Sequence, residues 1–213
     1  MRIAVVTGAT GGLGSALLEK LSPLYEKIIT IGRRPSPMPD ATFLQADLRR
    51  PDACKATVAS CKAFEAASEI VFFDVAAVLN LGSVGLTNFV ESAGEAMTVN
   101  AISPLTIGAV LGERAEKQGA RLKIIHISTG ASTRPIAGWG VYGMTKAAAA
   151  LGWKTFAAER AYVSLSIIDP GVIDTAMQQQ LRERSDPNAA SVALLKTPAE
   201  AANFILSEAC KTV

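Results

Sequence analysis

Histidine is all but absent from this sequence, and cysteine is scarce. The one histidine is His126, and the three cysteines, Cys54, Cys61 and Cys210, form no Cys-x-x-Cys pair. The ligands of a structural zinc are therefore lacking, and the cysteines read as reduced thiols of a cytoplasmic protein. Aromatic residues make up only 6% of the chain, which argues against a base-stacking surface. Neither sign of charge is in excess: 21 basic and 19 acidic residues leave a net charge of +2. The basic pairs Arg33-Arg34 and Arg49-Arg50 are isolated, so no stripe for nucleic acid forms. No apolar run reaches the roughly 18 residues that a bilayer span requires. The amino terminus leads straight into a strand pattern, without a signal-peptide layout. Neither nucleic acid nor membrane is an expected partner.

What is present suits one globular domain over residues 1–213, with 49% hydrophobic residues to build a core. Strand and helix patterns alternate from the start. Strands are expected at 2–7, 27–31, 42–46, 70–75, 122–128 and 163–168. Helices are expected at 12–21, 52–67, 91–116, 142–160 and 198–208. The segment 34–40 holds three prolines and reads as a loop. Apolar strands alternating with helices imply an α/β fold, a Rossmann-like doubly wound parallel sheet of about six strands with helices on both faces.

Gly8, Gly11, Gly12 and Gly14 fall where the first strand ends and the first helix begins. Glycine there permits a tight turn, close approach of a pyrophosphate to the backbone, and close helix–strand packing. The helix amino terminus then offers unpaired N–H groups to the phosphates. An NAD site places an acidic residue roughly 20 residues further on. Here the second strand ends in Gly32-Arg33-Arg34, and the first carboxylate after it is Asp40. Guanidinium groups attract a 2′-phosphate that a carboxylate would repel. The expected cofactor is NADP(H), with NAD(H) the less favoured alternative.

Tyr142 and Lys146 are four positions apart, which on a helix puts them on one face. A unit charge about 4 Å from the phenol, at an effective dielectric near 20, is worth roughly 4 kcal/mol. That is about three pKa units, enough to bring the phenol toward neutral pH. Such an acid could protonate a developing alkoxide, a contribution of about 10²–10⁴ in rate. Ile125-His-Ile-Ser128-Thr129 is a strand ending in hydroxyl residues, where a doubly wound sheet opens onto its ligand crevice. Within the long helix, Pro104 cannot donate an N–H to the carbonyl of Asn100, four residues earlier. That carbonyl is free to hold a water leading toward Lys146, or marks a simple kink.

Taken together, these residues resemble the short-chain dehydrogenase/reductase family. Its glycine motif matches residues 7–14, its Tyr-x-x-x-Lys matches Tyr142 and Lys146, and its helical asparagine matches Asn100. Its acidic adenine contact matches Asp47, beside Leu48, and its Pro-Gly-x-x-x-Thr loop matches Pro170 to Thr175. The stretch from Ser128 to Tyr142, with Gly138-Trp139, looks like the sepiapterin reductase and benzil reductase group of the compact branch. The resemblance implies a catalytic set of Asn100, Thr129, Tyr142 and Lys146. It implies a cofactor surface of Thr7, Gly8, Thr10, Gly11, Gly12, Leu13, Gly14, Asp47, Leu48, Ala76, Pro170, Gly171, Val172 and Thr175. Tyr142 and Lys146 are shared with that surface, and Arg33 and Arg34 extend it to a 2′-phosphate. Trp139 is a candidate wall of the substrate pocket, which residues 78–90 and 176–195 should build. Met177 with Gln178 to Gln180 reads as either a lid or a solvated helix. A homodimer or homotetramer is the family's usual assembly.

Four departures stand out. The family's serine, 13 residues before the tyrosine, is Thr129, whose β-branch stiffens the side chain. Asn-Asn-Ala-Gly after the fourth strand is replaced by Asp74-Val-Ala-Ala77, so that only Ala76 survives and an acid enters. No seventh strand is expected after the last helix. The carboxylate that anchors a pterin near the carboxyl end has no counterpart, so sepiapterin is a poor candidate substrate. The implied function is NADP(H)-dependent reduction of a small-molecule ketone, aldehyde or dicarbonyl. The alternative is a catalytically impaired nucleotide-binding sensor or scaffold of the same fold.

Overall fold

A computed structural model describes residues 1–81, 89–184 and 186–211. Six strands, β1 (Arg2–Thr7), β2 (Lys27–Gly32), β3 (Thr42–Gln45), β4 (Glu69–Asp74), β5 (Arg121–Ile127) and β6 (Val163–Ile168), form one sheet. They are parallel throughout and lie in the order β3-β2-β1-β4-β5-β6. This is the doubly wound order expected, and it reverses between β1 and β4. Seven α-helices complete the described chain: α1 (Gly12–Leu21), α2 (Pro51–Ser60), α3 (Phe89–Met97), α4 (Ser103–Gln118), α5 (Gly140–Ala158), α6 (Ala176–Glu183) and α7 (Pro198–Lys211). Among the described residues, no helix is long and apolar enough to cross a membrane.

Alternation along the strands sorts the core into two layers. Ile3, Val5, Ile29, Ile70, Phe72, Leu122 and Ile124 face α2, α4 and α5, where Trp153 and Phe156 fill the space. Ala4, Val6, Ile28, Val71, Phe73 and Ile125 face α1 and α7. Small residues let the first layer close. A Cβ on Gly108 would lie 2.3 Å from Cη2 of Trp153, and one on Gly112 would lie 2.9 Å from Cζ of Phe156.

Two elements differ from the expected ones, and the structure decides between two expectations for a third. The helix expected at 52–67 ends at Ser60, because Cys61 is extended. A 3₁₀ turn, Lys62–Phe64, then swings Phe64 fully into the core. The long helix expected at 91–116 is broken by a π-helical segment, Thr98–Ile102. Pro104 has no N–H, and the N–H of Ser103 reaches back five residues to the carbonyl of Thr98. α4 then stops at Gly119, whose left-handed φ of 64° lets Ala120 N–H return to Ala115 O at 2.8 Å. Finally, of the two expectations for the segment after Thr175, a lid or a solvated helix, the structure has the helix: α6 buries Leu181 and leaves most of its other side chains solvated. Residues 82–88 and Ser185, within the segments expected to build the substrate pocket, lie outside the described residues.

Candidate active site

Between β1 and β4 the chain leaves the sheet in opposite directions, and the crevice there is held open by glycine. Gly8 has a φ of 71°. A Cβ on it would lie 2.9 Å from the backbone of Ala76. The Thr7 hydroxyl accepts from Val75 N–H at 3.2 Å and Ala76 N–H at 3.3 Å, tying the two strand ends together. A Cβ on Gly14 would strike the carbonyl oxygen of Gly8 at 2.1 Å. Gly11 caps α1 without a side chain, so the first-turn N–H groups at Gly12, Leu13 and Gly14 face outward without an intrahelical acceptor. Thr10 is exposed in the turn, while the Leu13 side chain belongs to the core. Across the crevice, a Cβ on Gly12 would reach Cγ2 of Thr175 at 3.5 Å. This cradle fits a dinucleotide pyrophosphate.

The flanks of the cradle are arranged as follows. Arg33 and Arg34 follow β2, are exposed, and make no ion pair among the described residues. Asp47 accepts from Arg49 N–H at 3.0 Å, and the Leu48 carbonyl accepts from the Ser103 hydroxyl at 2.6 Å. The 170–175 loop turns at Gly171, with φ of 80°. A residue that sequence reasoning missed holds this loop. Lys196 donates from Nζ to Pro170 O at 2.9 Å, and its backbone pairs with Val172 O and Asp174 N–H. Nothing local in the sequence marks Lys196, because its partners lie more than 20 residues away.

Tyr142 opens the first turns of α5 and Lys146 follows one turn later; they are 7% and 3% exposed. Gly143 brings this end of α5 against the 3₁₀ turn Gly130–Ser132, since a Cβ there would lie 2.7 Å from Ala131 O. The electrostatics differ from the expectation. Burial pushes the Tyr142 phenol up to about 12, and Asp169 adds to the rise. Burial also pushes Lys146 down from its usual value, an effect that the Asp74 carboxylate opposes. The Lys146 ammonium donates to Ile127 O at 2.5 Å, so its charge is turned onto a backbone carbonyl. The phenol is thus a firmly protonated acid, not one poised near neutrality. Thr129 caps the 3₁₀ turn by accepting from Ala131 N–H at 3.4 Å, while Ser128 shares a hydrogen bond with Ser132 at 3.1 Å.

Asn100 is buried and works through its side chain. It exchanges two hydrogen bonds with the Val78 backbone and donates to the Thr145 hydroxyl at 3.0 Å, joining the end of β4 to α5. Trp139 packs edge-on to Tyr142, with ring centroids 5.9 Å apart. Its indole N–H points to the Asp186 carboxylate at 3.3 Å.

The acid that replaces the family's asparagine is buried. Asp74 Oδ2 accepts from His126 Nδ1–H at 2.6 Å and from Trp153 Nε1–H at 3.2 Å. Burial pushes His126 down, Asp74 opposes that, and Lys146 adds to it. The histidine is therefore neutral and serves as a hydrogen-bond donor.

The chain is 25% identical over 201 residues to a benzil reductase ((S)-benzoin forming) of Bacillus cereus, covering 86% of this chain and 80% of that protein. It is 27% identical over 209 residues to the sepiapterin reductase of Mus musculus, covering 87% and 80%. A solved short chain dehydrogenase from Burkholderia cenocepacia, in complex with NADP, shares the fold with a TM-score of 0.77 at 22% identity, covering 96% of this chain and 82% of that one. The short chain dehydrogenase family profile matches residues 2–186. With the glycine cradle, the Tyr142–Lys146 helix and the doubly wound sheet in place, the chain belongs to the short chain dehydrogenase family of oxidoreductases, which act on CH–OH and C=O groups.

Proposed function

We propose that this protein is an NADP(H)-dependent reductase of small ketones, aldehydes or dicarbonyls. The observation that carries this reading is Tyr142, a buried phenol kept protonated at the carboxyl end of the sheet. The α1 amino terminus, Gly8, Gly11, Gly12, Gly14 and the 170–175 loop hold the cofactor, with Asp47, Leu48 and Ala76 beside its adenosine half. Arg33 and Arg34 supply the charge for a 2′-phosphate. When bound, the nicotinamide supplies the hydride that adds to the carbonyl carbon. Tyr142 gives its proton to the carbonyl oxygen as the C=O bond becomes an alkoxide, a stronger base than phenolate. For Lys146 to supply its positive charge to the phenolate, the ammonium turns from Ile127 O, on which it rests in this structure. Thr129 orients the carbonyl, Trp139 walls the substrate side, and the Asn100 carbonyl holds a water that passes protons toward Lys146. The benzil reductase and sepiapterin reductase relatives favour a dicarbonyl or similar ketone as substrate.

The three unpaired cysteines support a reducing compartment, the cytoplasm. A homodimer or homotetramer is the assembly that the family suggests. A nucleotide sensor is the second reading. It is favoured by the Thr129 hydroxyl being spent on a cap and the Lys146 ammonium on Ile127 O.

Fluorescence titration with NADPH and NADH at matched salt tests the cofactor. Tight NADPH binding is expected, and replacing Arg33 and Arg34 with alanine should weaken it by about tenfold or more without affecting NADH. Preference for NADH would overturn the NADP(H) assignment. Tyr142→Phe separates reductase from sensor: NADPH binding should persist while dicarbonyl turnover falls by about 10²–10⁴. Unchanged turnover would remove Tyr142 as the acid.

A further inference from the structure

Among the described residues, the buried Asp, Glu, Lys, Arg and His side chains are Asp74, His126 and Lys146. They come from three elements, β4, β5 and α5, that meet on one face of the sheet. Asp74 and His126 are register partners on β4 and β5, so both side chains rise from the same face of the sheet. α5 lies across that face. Its Lys146 and Trp153 are two helical turns apart, and Trp153 donates to the same carboxylate oxygen as His126. A buried carboxylate is costly without a compensating charge. His126 does not provide one, because it is neutral. Its Nε2 is buried without a hydrogen-bond partner, and a proton there would have no acceptor. The buried cation on this face is Lys146, 3% exposed.

We propose that Asp74 is a positioning residue for Lys146: its carboxylate, clamped by His126 and Trp153, is the buried counter-charge that keeps Lys146 an ammonium. The charge pairing rests on the burial of both groups where α5 meets one face of the sheet, and on the effect of the Asp74 carboxylate on Lys146; its consequence for turnover rests on the carbonyl-reductase reading. Other groups facing this region do not compete for the role. Tyr142 on the same helix stays neutral, and Asp169 after β6 acts on Tyr142. Thr7 from β1, and Asn100 and Ser103 from the π segment and α4, do not titrate in this range. An asparagine at position 74 would give the same shape and no charge, so the acid supplies electrostatics that the family's usual residue does not.

Asp74→Asn isolates that charge. Both hydrogen bonds go to one oxygen, and the amide oxygen of asparagine can accept both. The readout is the NMR titration of Nζ in protein labelled with ¹⁵N-lysine, the Lys146 signal being assigned with Lys146→Met. Wild-type Lys146 should be an ammonium at neutral pH, and a neutral amine there would overturn the proposal whatever the variants do. In Asp74→Asn the midpoint should fall, because a buried opposite charge that raises it has been removed. An unmoved midpoint overturns the proposal. Trp153→Phe removes a hydrogen bond but keeps the charge, so its midpoint should stay near wild type. If it moved as far as Asp74→Asn, packing would hold Lys146, and the proposal would fail. The alkaline limb of kcat/KM should shift down with the Asp74→Asn midpoint. A wild type that reduces no carbonyl would sink the reductase reading while leaving the NMR comparison intact.

Discussion

Asn100 and Val78 exchange two hydrogen bonds, Val78 N–H to Asn100 Oδ1 at 2.8 Å and Asn100 Nδ2–H to Val78 O at 3.0 Å. The asparagine side chain thereby acts as one more rung of sheet at the point where β4 has ended. Asn100→Ala leaves both Val78 groups without these partners, at about 1–3 kcal/mol for each that stays dry. Urea unfolding should show the loss, and NADPH affinity should fall with it, because the same backbone carries Ala76 into the crevice. An alanine variant as stable as wild type would mean that water replaces Asn100 at no cost.

Gly108 lies beneath the indole of Trp153, and its missing Cβ would sit 2.3 Å from Cη2 and 2.5 Å from Cζ3. Neither the fully buried indole nor the helix backbone has room to retreat. Gly108→Ala should therefore destabilise by about 1–3 kcal/mol despite its better helix propensity. Thermal unfolding that rises or stays level would show that α4 and α5 separate easily.

Burial of Tyr142 carries a pH signature. Its folded-state pKa, raised to about 12 from 10.0, favours the fold while the phenol is protonated. The contribution is complete below about pH 10 and is lost as pH rises from there toward 12, roughly 2–3 kcal/mol in all. Denaturant midpoints across that window should drop in wild type, and drop less in Tyr142→Phe. Equal slopes would place the phenol in water.

His126 acts at the other end of the scale. Its folded-state pKa is depressed below 6.5 by burial, so the unfolded chain binds the proton first. Stability from neutral His126 is complete above that value and is lost as pH falls through the folded pKa. His126→Asn retains a donor for Asp74 and cannot titrate. Urea midpoints between about pH 7 and about pH 5 should fall less in this variant than in wild type. A wild type whose stability rises as pH falls over that range would show His126 to be protonated in the fold.

Much of the architecture could be read along the chain because its causes are local. The bounds of β1, α1 and β6 follow from apolar runs and a glycine turn, and they match the structure residue for residue. The π segment was half visible: Pro104 showed that a hydrogen bond must be missing, but not that the helix would widen to accommodate it. α6 stays open in the sequence between a lid and a solvated helix, because its single buried residue, Leu181, gives almost no periodic signal. In the site, Tyr142 and Lys146 were legible from their spacing, whereas the direction of their pKa shifts was not. That direction depends on how much water burial removes, and on whether the ammonium points at the phenol or at Ile127 O.

The sequence by itself determined the doubly wound fold, the glycine cradle and the helix that carries the phenol and the ammonium, since each rests on contacts between near neighbours. Only the tertiary structure decided that Asp74, His126, Trp153 and Lys146 share one buried face, and that Asn100 and Lys196 hold the two sides of the crevice. Those relationships depend on strand register and on how far α5 sinks onto the sheet. Both are set by side-chain packing between segments 20 to 80 residues apart, such as Trp153 against Gly108 and Asp74.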